Sequence, residues 1–338
     1  MKKEPAVWLP TVRAGTGTDV FTEVLAKGLR ENGLRAEITW LPLRAEYAPW
    51  SVKIPRPPDW ANIAHVNTWL HPRFLPKHLP VVATLHHSIH HPDAVRYKGN
   101  LRSFYHRHWI EKIESANMGA ANQVVAVSRF AADAAVATLL KSPMHVIHNG
   151  VDTSLFIPGV QRSGCRPFRL LYIGSWKLLK GVDLLEPIMR ILGEDYELAF
   201  TGGLASMSEK RQLCPNMHDI GRLHDAKEVV LAMQQADALL FPSRSEGLPL
   251  SVLEAMACGL PVVAACGSSL KELVKHEETG LLAAMDDIQG FVDSIRKIAS
   301  QSEMYSRFSV NSRKVAVEKF SVQKMLNKYI ALYREVLK

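Results

Sequence analysis

Short apolar runs alternate with helix-patterned stretches along almost all of this 338-residue chain, and no other feature restricts its fold as much. AVWLP (6–10), AEITWLPL (36–43), ANIAHVNT (61–68), VVATLHH (81–87), NQVVAVS (122–128) and MHVIHNG (144–150) read as strands, some with their turns. Between the first two lies TDVFTEVLAKGLRENG, where Val20, Val24, Leu25 and Leu29 fall at helical spacing and Gly33 supplies a stop. FAADAAVATLL (130–140) is another helix. Strands joined through helices pair in parallel, because each crossover returns the chain to the end it left. The helices then cover both faces of the sheet.

VDTSLFIPGVQRSGCRPF (151–168) interrupts this pattern with Pro158, Gly159, Gly164 and Pro167, and reads as a link between domains. The alternation then restarts with RLLYIGS (169–175), VDLLEPIMRILG (182–193), YELAFTGG (196–203), DALLFPS (237–243), PLSVLEAMACG and LPVVAA. The expected fold class is α/β, with two doubly wound Rossmann-like domains facing across a cleft. Such sheets bind ligands at the carboxyl ends of their strands. SVQKMLNKYIALYREVLK is an amphipathic helix whose apolar stripe is Val322, Met325, Leu326, Tyr329, Leu332, Tyr333 and Val336.

Composition narrows the class. The chain is 47% apolar and 22% charged, as a globular protein is. No apolar run approaches the roughly 18 residues of a membrane span. The opening MKKEPAVWLPTVRAGTG does not read as a signal peptide. Cys165, Cys214, Cys258 and Cys266 show no C-x-x-C spacing, which points to reduced thiols and a cytoplasmic protein. The net charge of +8 is uneven: residues 1–150 hold 18 Lys and Arg against 11 Asp and Glu, and 11 of the 14 histidines. A basic first half points to an anionic surface or substrate on that side. Nucleic acid is set aside, since zinc-finger spacing, RNP-like aromatics and an evident basic recognition helix are all missing.

SRSEGLPLSVLEAMACGLPVVAA (243–265) places Glu246 and Glu254 eight positions apart in one of the most apolar segments of the chain. Pro242 and Ser243 end a strand, Pro249 suits the first turn of a helix, and Gly259 stops that helix after about Ala257. Gly247 is free to take unusual backbone angles. Glu246 then sits in a loop at the strand's carboxyl end and Glu254 about one turn into the helix. The amides at the helix start favour an anion such as a diphosphate. On these residues alone, two solvated surface charges and two handles for one ligand are equal readings.

The segment closely resembles the E-x7-E region of the retaining glycosyltransferases of family 4, which have the GT-B fold. EG, EAMACG and PVVA fall around the two glutamates as in that family. RAGTGTDVFTEVLAKGL, VVATLHH, VVAVS, VIHNGVD, IGSWKLLKGVD, DALLFPS, SSLKELV, TGLL and FSVQKMLNKYIALYREVL follow in the family's order. The resemblance implies a first domain over 1–160 that binds the acceptor and a second over 161–320 that binds a nucleotide-sugar donor. It also implies a closing helix, 321–338, that packs back on the first domain.

Carried over residue by residue, Glu246 contacts the donor sugar and Glu254 the ribose, since a carboxylate accepts two hydrogen bonds from a vicinal diol. The amides over Gly247, Leu248, Pro249, Leu250 and Ser251 (proline excepted) hold sugar and diphosphate. Lys180 neutralises the diphosphate, whose charge grows as it leaves. Many members have Arg after the glycine where this chain has Ser175; Lys177 stands nearby, without the paired geometry of Arg. Gly221 and Arg222 complete the donor side. Gly15, Thr16 and Gly17 match the first glycine loop, and His86 matches a histidine near the reacting sugar, so Glu246 and His86 are the catalytic candidates. The resemblance implies no cofactor and no metal, only a UDP- or GDP-sugar co-substrate. For chains of this class the resemblance further implies an acceptor that is a glycan or a lipid-linked molecule of bacterial polysaccharide or lipopolysaccharide synthesis.

Three features have competing readings. HHSIHH offers His86, His87, His90 and His91 as metal ligands, against ordinary polar loop residues. The stretch 96–112 mixes Arg96, Lys98, Arg102 and Arg107 with Phe104, Tyr105 and Trp109; it is an anionic-membrane surface, an acceptor site or a packed amphipathic helix. The same architecture also serves sugar-nucleotide epimerases and non-catalytic nucleotide-sugar-binding proteins, whereas a dinucleotide oxidoreductase is excluded by Val20 at the third glycine place.

Overall fold

The computed structural model describes residues 4–87, 89–92, 96–97, 99–139, 143–160, 167–202 and 213–338. Lys98 and Cys165 lie outside these residues, as do parts of the link at 161–166. Contacts divide the chain into two compact units. One comprises Met1–Gly150 with Val322–Lys338, the other Val151–Ser321. The division falls at the start of the proline- and glycine-rich link, so residues 151–160 belong to the second unit.

The first unit holds six strands: β1 (Ala6–Val12), β2 (Arg35–Leu41), β3 (Ile63–Asn67), β4 (Val81–Leu85), β5 (Gln123–Ala126) and β6 (His145–Val146). They pair in parallel in the order β2-β1-β3-β4-β5-β6. The order reverses at β1, so a crevice opens beyond the carboxyl ends of β1 and β3. The first helix, Gly17–Glu31, buries Phe21, Leu25, Ala26 and Leu29. The buried stripe is therefore turned from the expected one: Val20 is exposed and Val24 only half-buried. Phe21 wins the inward place because a phenyl ring removes more apolar area from water than a valine does.

Helix Val322–Val336 packs against this same helix. Met325, Leu326, Tyr329, Leu332 and Tyr333 are buried as the stripe requires, with Ile330 added and Val322 and Val336 at the margin. A Cβ at Gly28 would strike the Leu326 side chain, so the glycine permits the close approach of the two helices. Under it lies buried His65, whose Nδ1 pairs with the Tyr333 hydroxyl and whose Nε2 is 2.8 Å from Thr84 Oγ1. Tyr329 reaches the same threonine hydroxyl. Burial holds His65 down to about 3, so the imidazole is neutral and the network needs no counter-ion.

The second unit carries β7 (Phe168–Tyr172), β8 (Tyr196–Phe200), β9 (Met217–Asp219), β10 (Ala238–Phe241), β11 (Val262–Ala265) and β12 (Gly280–Ala283). All are parallel, in the order β12-β11-β10-β7-β8-β9. Here β7 and β10, far apart in sequence, lie side by side where the winding reverses. Whatever follows each of them shares one crevice. The side chains of β10 and β11, at the middle of the sheet, are wholly buried, as helices on both faces require.

Candidate active site

In the second unit, the segments that follow β7 and β10 meet. After β7 the chain passes Gly174 and Ser175 into a short 3₁₀ turn, Leu178–Lys180, and then helix Val182–Leu192. Between turn and helix, Gly181 takes a left-handed backbone (φ +71°), and a Cβ there would run into the Pro242 carbonyl. That contact seats Lys180 beside the loop after β10. Its Nζ donates to both oxygens of Glu246, each at 2.7 Å. Ser243 Oγ donates to Glu246 Oε1 at 2.6 Å, and the Glu246 amide donates to Ser268 Oγ at 3.2 Å. Glu246 is buried, with its carboxyl oxygens taken by the Lys180 ammonium and the Ser243 hydroxyl. The two groups assigned separately to sugar and diphosphate are thus paired with one another in the free protein.

The Tyr172 hydroxyl donates to the Ser175 carbonyl at 3.2 Å and is held well above the usual phenol range by burial and by the Glu246 charge. Sequence reasoning missed Arg244. Its side chain is 4% exposed and bridges two carboxylates. Nη1 and Nη2 reach Asp183 at 2.7 and 2.8 Å, and Nε reaches Asp286 at 2.6 Å. Nη1 also donates to the Leu178 carbonyl, and the Arg244 amide to that of Leu179. A planar fork is the group that can bind so many acceptors in one plane. It ties the Lys180 turn to the Glu246 loop from behind. The only sequence signal was an arginine inside an otherwise apolar run.

Helix Leu250–Ala257 forms over the expected residues. Pro249 is its N-cap rather than its first helical residue, and Gly259 stops it at φ +68°. The left-handed glycines of this region are Gly181, Gly221 and Gly259; Gly247 is not one of them. Gly247, Leu248 and Pro249 are buried, with Leu250 and Ser251 at the edge of the crevice. Glu254 is half-exposed yet surrounded by protein, and burial pushes its carboxyl up to about 7. The carboxyl has no hydrogen-bond or ion-pair partner among the described residues. The neighbouring Cys258 thiol is pushed up to about 12 by its own burial and then by the Glu254 charge.

The remaining donor candidates of this unit stand around these. Ser175 and Lys177 are exposed on the turn after β7. Gly221 (φ +74°) and exposed Arg222 follow β9, where Asp219 Oδ1 accepts the Gly221 amide at 2.8 Å and the Gly202 amide at 3.1 Å.

The other candidates lie in the first unit. Gly15, Thr16 and Gly17 are exposed beyond β1, but the Ala14 and Gly15 amides already donate to the Asp19 carboxylate, at 3.1 and 2.8 Å. His86 follows β4 with its ring edge-on to Phe21, 4.6 Å between centroids; burial holds it down to about 4. The histidines of 86–91 diverge: His90 Nε2 meets Glu114 at 3.1 Å, and His91 packs on Phe130. No group of three or more His, Cys, Asp or Glu side chains converges as a metal site among the described residues.

The 96–112 stretch is not one continuous α-helix: Asn100–Tyr105 runs through a π turn, His106–Ile110, into Glu111–Ala120. Arg102, Phe104 and Arg107 face solvent. Tyr105 and Trp109 are half-buried, and Trp109 Nε1 donates to the Glu46 carbonyl.

A family model described as Glycosyl transferases group 1 matches residues 159–315, and one described as Glycosyltransferase Family 4 matches residues 42–155. N-acetyl-alpha-D-glucosaminyl L-malate synthase of Bacillus anthracis is 27% identical over 174 residues, 50% of this chain and 46% of that protein. MMP alpha-(1→4)-mannosyltransferase of Mycolicibacterium hassiacum is 29% identical over 274 residues, 76% of this chain and 66% of that protein. The matched segments thus span about half to two-thirds of these relatives. Among solved structures, sucrose-phosphate synthase from Thermosynechococcus elongatus superposes with a TM-score of 0.81 at 18% identity, covering 97% of this chain and 98% of that one. Anabaena HepE in complex with UDP superposes with a TM-score of 0.76 at 16% identity, covering 98% and 100%. These likenesses give the fold. With one glycosyltransferase family model on each side of the link, the chain resembles the family 4 glycosyltransferases in both units and has the GT-B fold.

Proposed function

We propose that this protein is a retaining glycosyltransferase that moves a sugar from a UDP- or GDP-sugar to a glycan or lipid-linked acceptor, without a metal ion. The observation that carries this reading is the Lys180–Glu246 pair, held at 2.7 Å where β7 and β10 adjoin. A donor that enters here exchanges that pair for two new ones. Sugar hydroxyls donate to Glu246, and the diphosphate takes Lys180, with Lys177 and Arg222 as further cations. Lys180 then stabilises the charge that develops on the departing diphosphate, in place of a divalent cation. The ribose diol donates to Glu254, which has no competing partner. In the retaining step the acceptor attacks from the leaving-group face and the departing phosphate takes its proton. His86, neutral above about pH 4, serves as a hydrogen-bonding group and not as an acid. HepE, solved with UDP, supports a uridine nucleotide among the donors to try first. The proposed setting is cytoplasmic, in bacterial polysaccharide or lipopolysaccharide synthesis.

Transfer from UDP- and GDP-sugars to an acceptor panel tests this, with anomeric configuration read by NMR. Glu246→Ala is expected to lower transfer at least about a hundredfold. Activity within a few-fold of wild type, an inverted product, or complete loss in EDTA would each sink the corresponding part of the proposal. Isomerised sugar in the absence of acceptor would instead identify an epimerase.

A further inference from the structure

A surface of the first unit carries large apolar side chains in water. In the segment 43–56, Trp50 is 69% exposed and Ile54 48%, with Leu43 and Tyr47 also outward. In helix Asn100–Tyr105, Leu101 is 90% exposed and Phe104 65%. These two stretches adjoin. Trp109 Nε1 donates to the Glu46 carbonyl at 3.1 Å, and Arg102 lies near enough to Glu46 to draw its carboxyl down against the rise that burial causes. Scattered exposed apolar residues are ordinary, but a set of this size on two touching segments is a patch.

The charges on the same segments are of one sign. Arg44, Lys53 and Arg56 are exposed on the first, Arg102 and Arg107 on the second. The single carboxylate, Glu46, is half-buried. Lys53, Ile54, Pro55 and Arg56 also line an open recess of about 440 Å³, room enough for a phosphate headgroup. Rings and aliphatic side chains interleaved with cations match the interface of an anionic bilayer, where rings sit at headgroup level and cations meet lipid phosphate. A protein partner would more often call for mixed charge. Among the described residues no helix is long and apolar enough to cross a membrane.

We propose that the surface formed by residues 43–56 and 101–107 docks this protein on an anionic phospholipid membrane, with Trp50, Ile54, Leu101 and Phe104 entering the interface. Of the aromatic residues singled out in 96–112, Phe104 takes part while Trp109 ties the two segments together. The proposal does not depend on the reading of the donor site.

Sedimentation of the full chain with vesicles tests it, using phosphatidylcholine with and without phosphatidylglycerol. Binding is expected to the anionic vesicles alone, and to fall as salt rises from about 0.1 M to about 0.5 M. Trp50→Ala with Ile54→Ala should weaken it at least about tenfold. Lys53→Ala with Arg56→Ala should weaken it about fivefold per cation. Both pairs are exposed, so the variants should melt and bind nucleotide as wild type does. Absence of binding, equal binding to pure phosphatidylcholine, or binding unchanged in the Trp50–Ile54 variant would overturn the proposal. Concentration-dependent self-association that this variant abolishes, without lipid binding, would overturn it in favour of a second copy of the chain.

Discussion

Replacing Glu254 with Gln separates what this carboxyl does for folding from what it does for a ligand. Its pKa is about 7 in the folded protein against an ordinary 4.5. Between those values the folded chain holds a proton that the unfolded chain has released. The carboxyl's contribution to stability is therefore fully present below about pH 4.5 and is lost as pH rises through 7. A gap of that size corresponds to about 3 kcal/mol, and since solvent reaches part of the side chain, about 1–3 kcal/mol is expected. Glutamine has nearly the same shape and never ionises. The variant and the wild type should melt together near pH 4.5 and diverge by pH 8.5, the variant being higher by about 2–4 °C for each kcal/mol. The lowered pKa values of His65 and His86 destabilise both proteins in acid and cancel in the comparison. Ligand binding should move the other way. An amide accepts fewer hydrogen bonds from a diol than a carboxylate, so UDP or GDP should bind at least about tenfold more weakly to the variant. In the wild type, affinity should rise between pH 6 and 8 as the carboxyl ionises. Thermal melts over this range and calorimetric titration with each nucleotide provide the measurements. A melting difference that does not change with pH, or an affinity loss under about threefold, would refute the reasoning.

Other substitutions have graded consequences. Gly181→Ala should destabilise by about 3 kcal/mol or more, since it combines a left-handed backbone with the Pro242 carbonyl, while Gly33→Ala, left-handed in open space, should lose about 1 kcal/mol in the same urea titration. Arg244→Met should lose about 1–3 kcal/mol, because Asp183 and Asp286 are both about 40% exposed and water takes over part of the bonding. Arg244→Lys should recover little of it, one ammonium being unable to span both carboxylates, and a Lys variant as stable as wild type would contradict this account. Tyr333→Phe leaves the His65 Nδ1 without its partner and should lower stability by about 1–3 kcal/mol, read by thermal melting.

The alternation of strands and helices was legible because it follows from backbone pairing and burial, which are local. Helix Leu250–Ala257 was legible to the residue because Pro249 and Gly259 mark its two ends. Ranking apolar residues by spacing alone failed at Val20, since a neighbouring phenylalanine competes for the same inward position. β9 has three residues and offers no periodicity to read. The candidate site was legible as a set of residues through its likeness to a family. Its connections were not. The Lys180–Glu246 pair spans 66 positions and the Arg244–Asp183 bonds 61, and both exist because the winding puts β7 next to β10. Nothing in the composition of either segment announces that adjacency.

Helix Val322–Val336 covers the first unit although it follows the second in sequence. On the ribosome, residues 1–150 emerge first with the apolar face of Phe21, Leu25 and Leu29 uncovered, and stay so while the next 171 residues are made. The second unit, contiguous over 151–321, can close its own core before that helix appears. The order of completion is thus the reverse of the order of synthesis. For that interval the nascent first unit presents an apolar surface to which chaperones can bind, and a nonsense mutation just after residue 321 would strand it there while leaving the second unit whole.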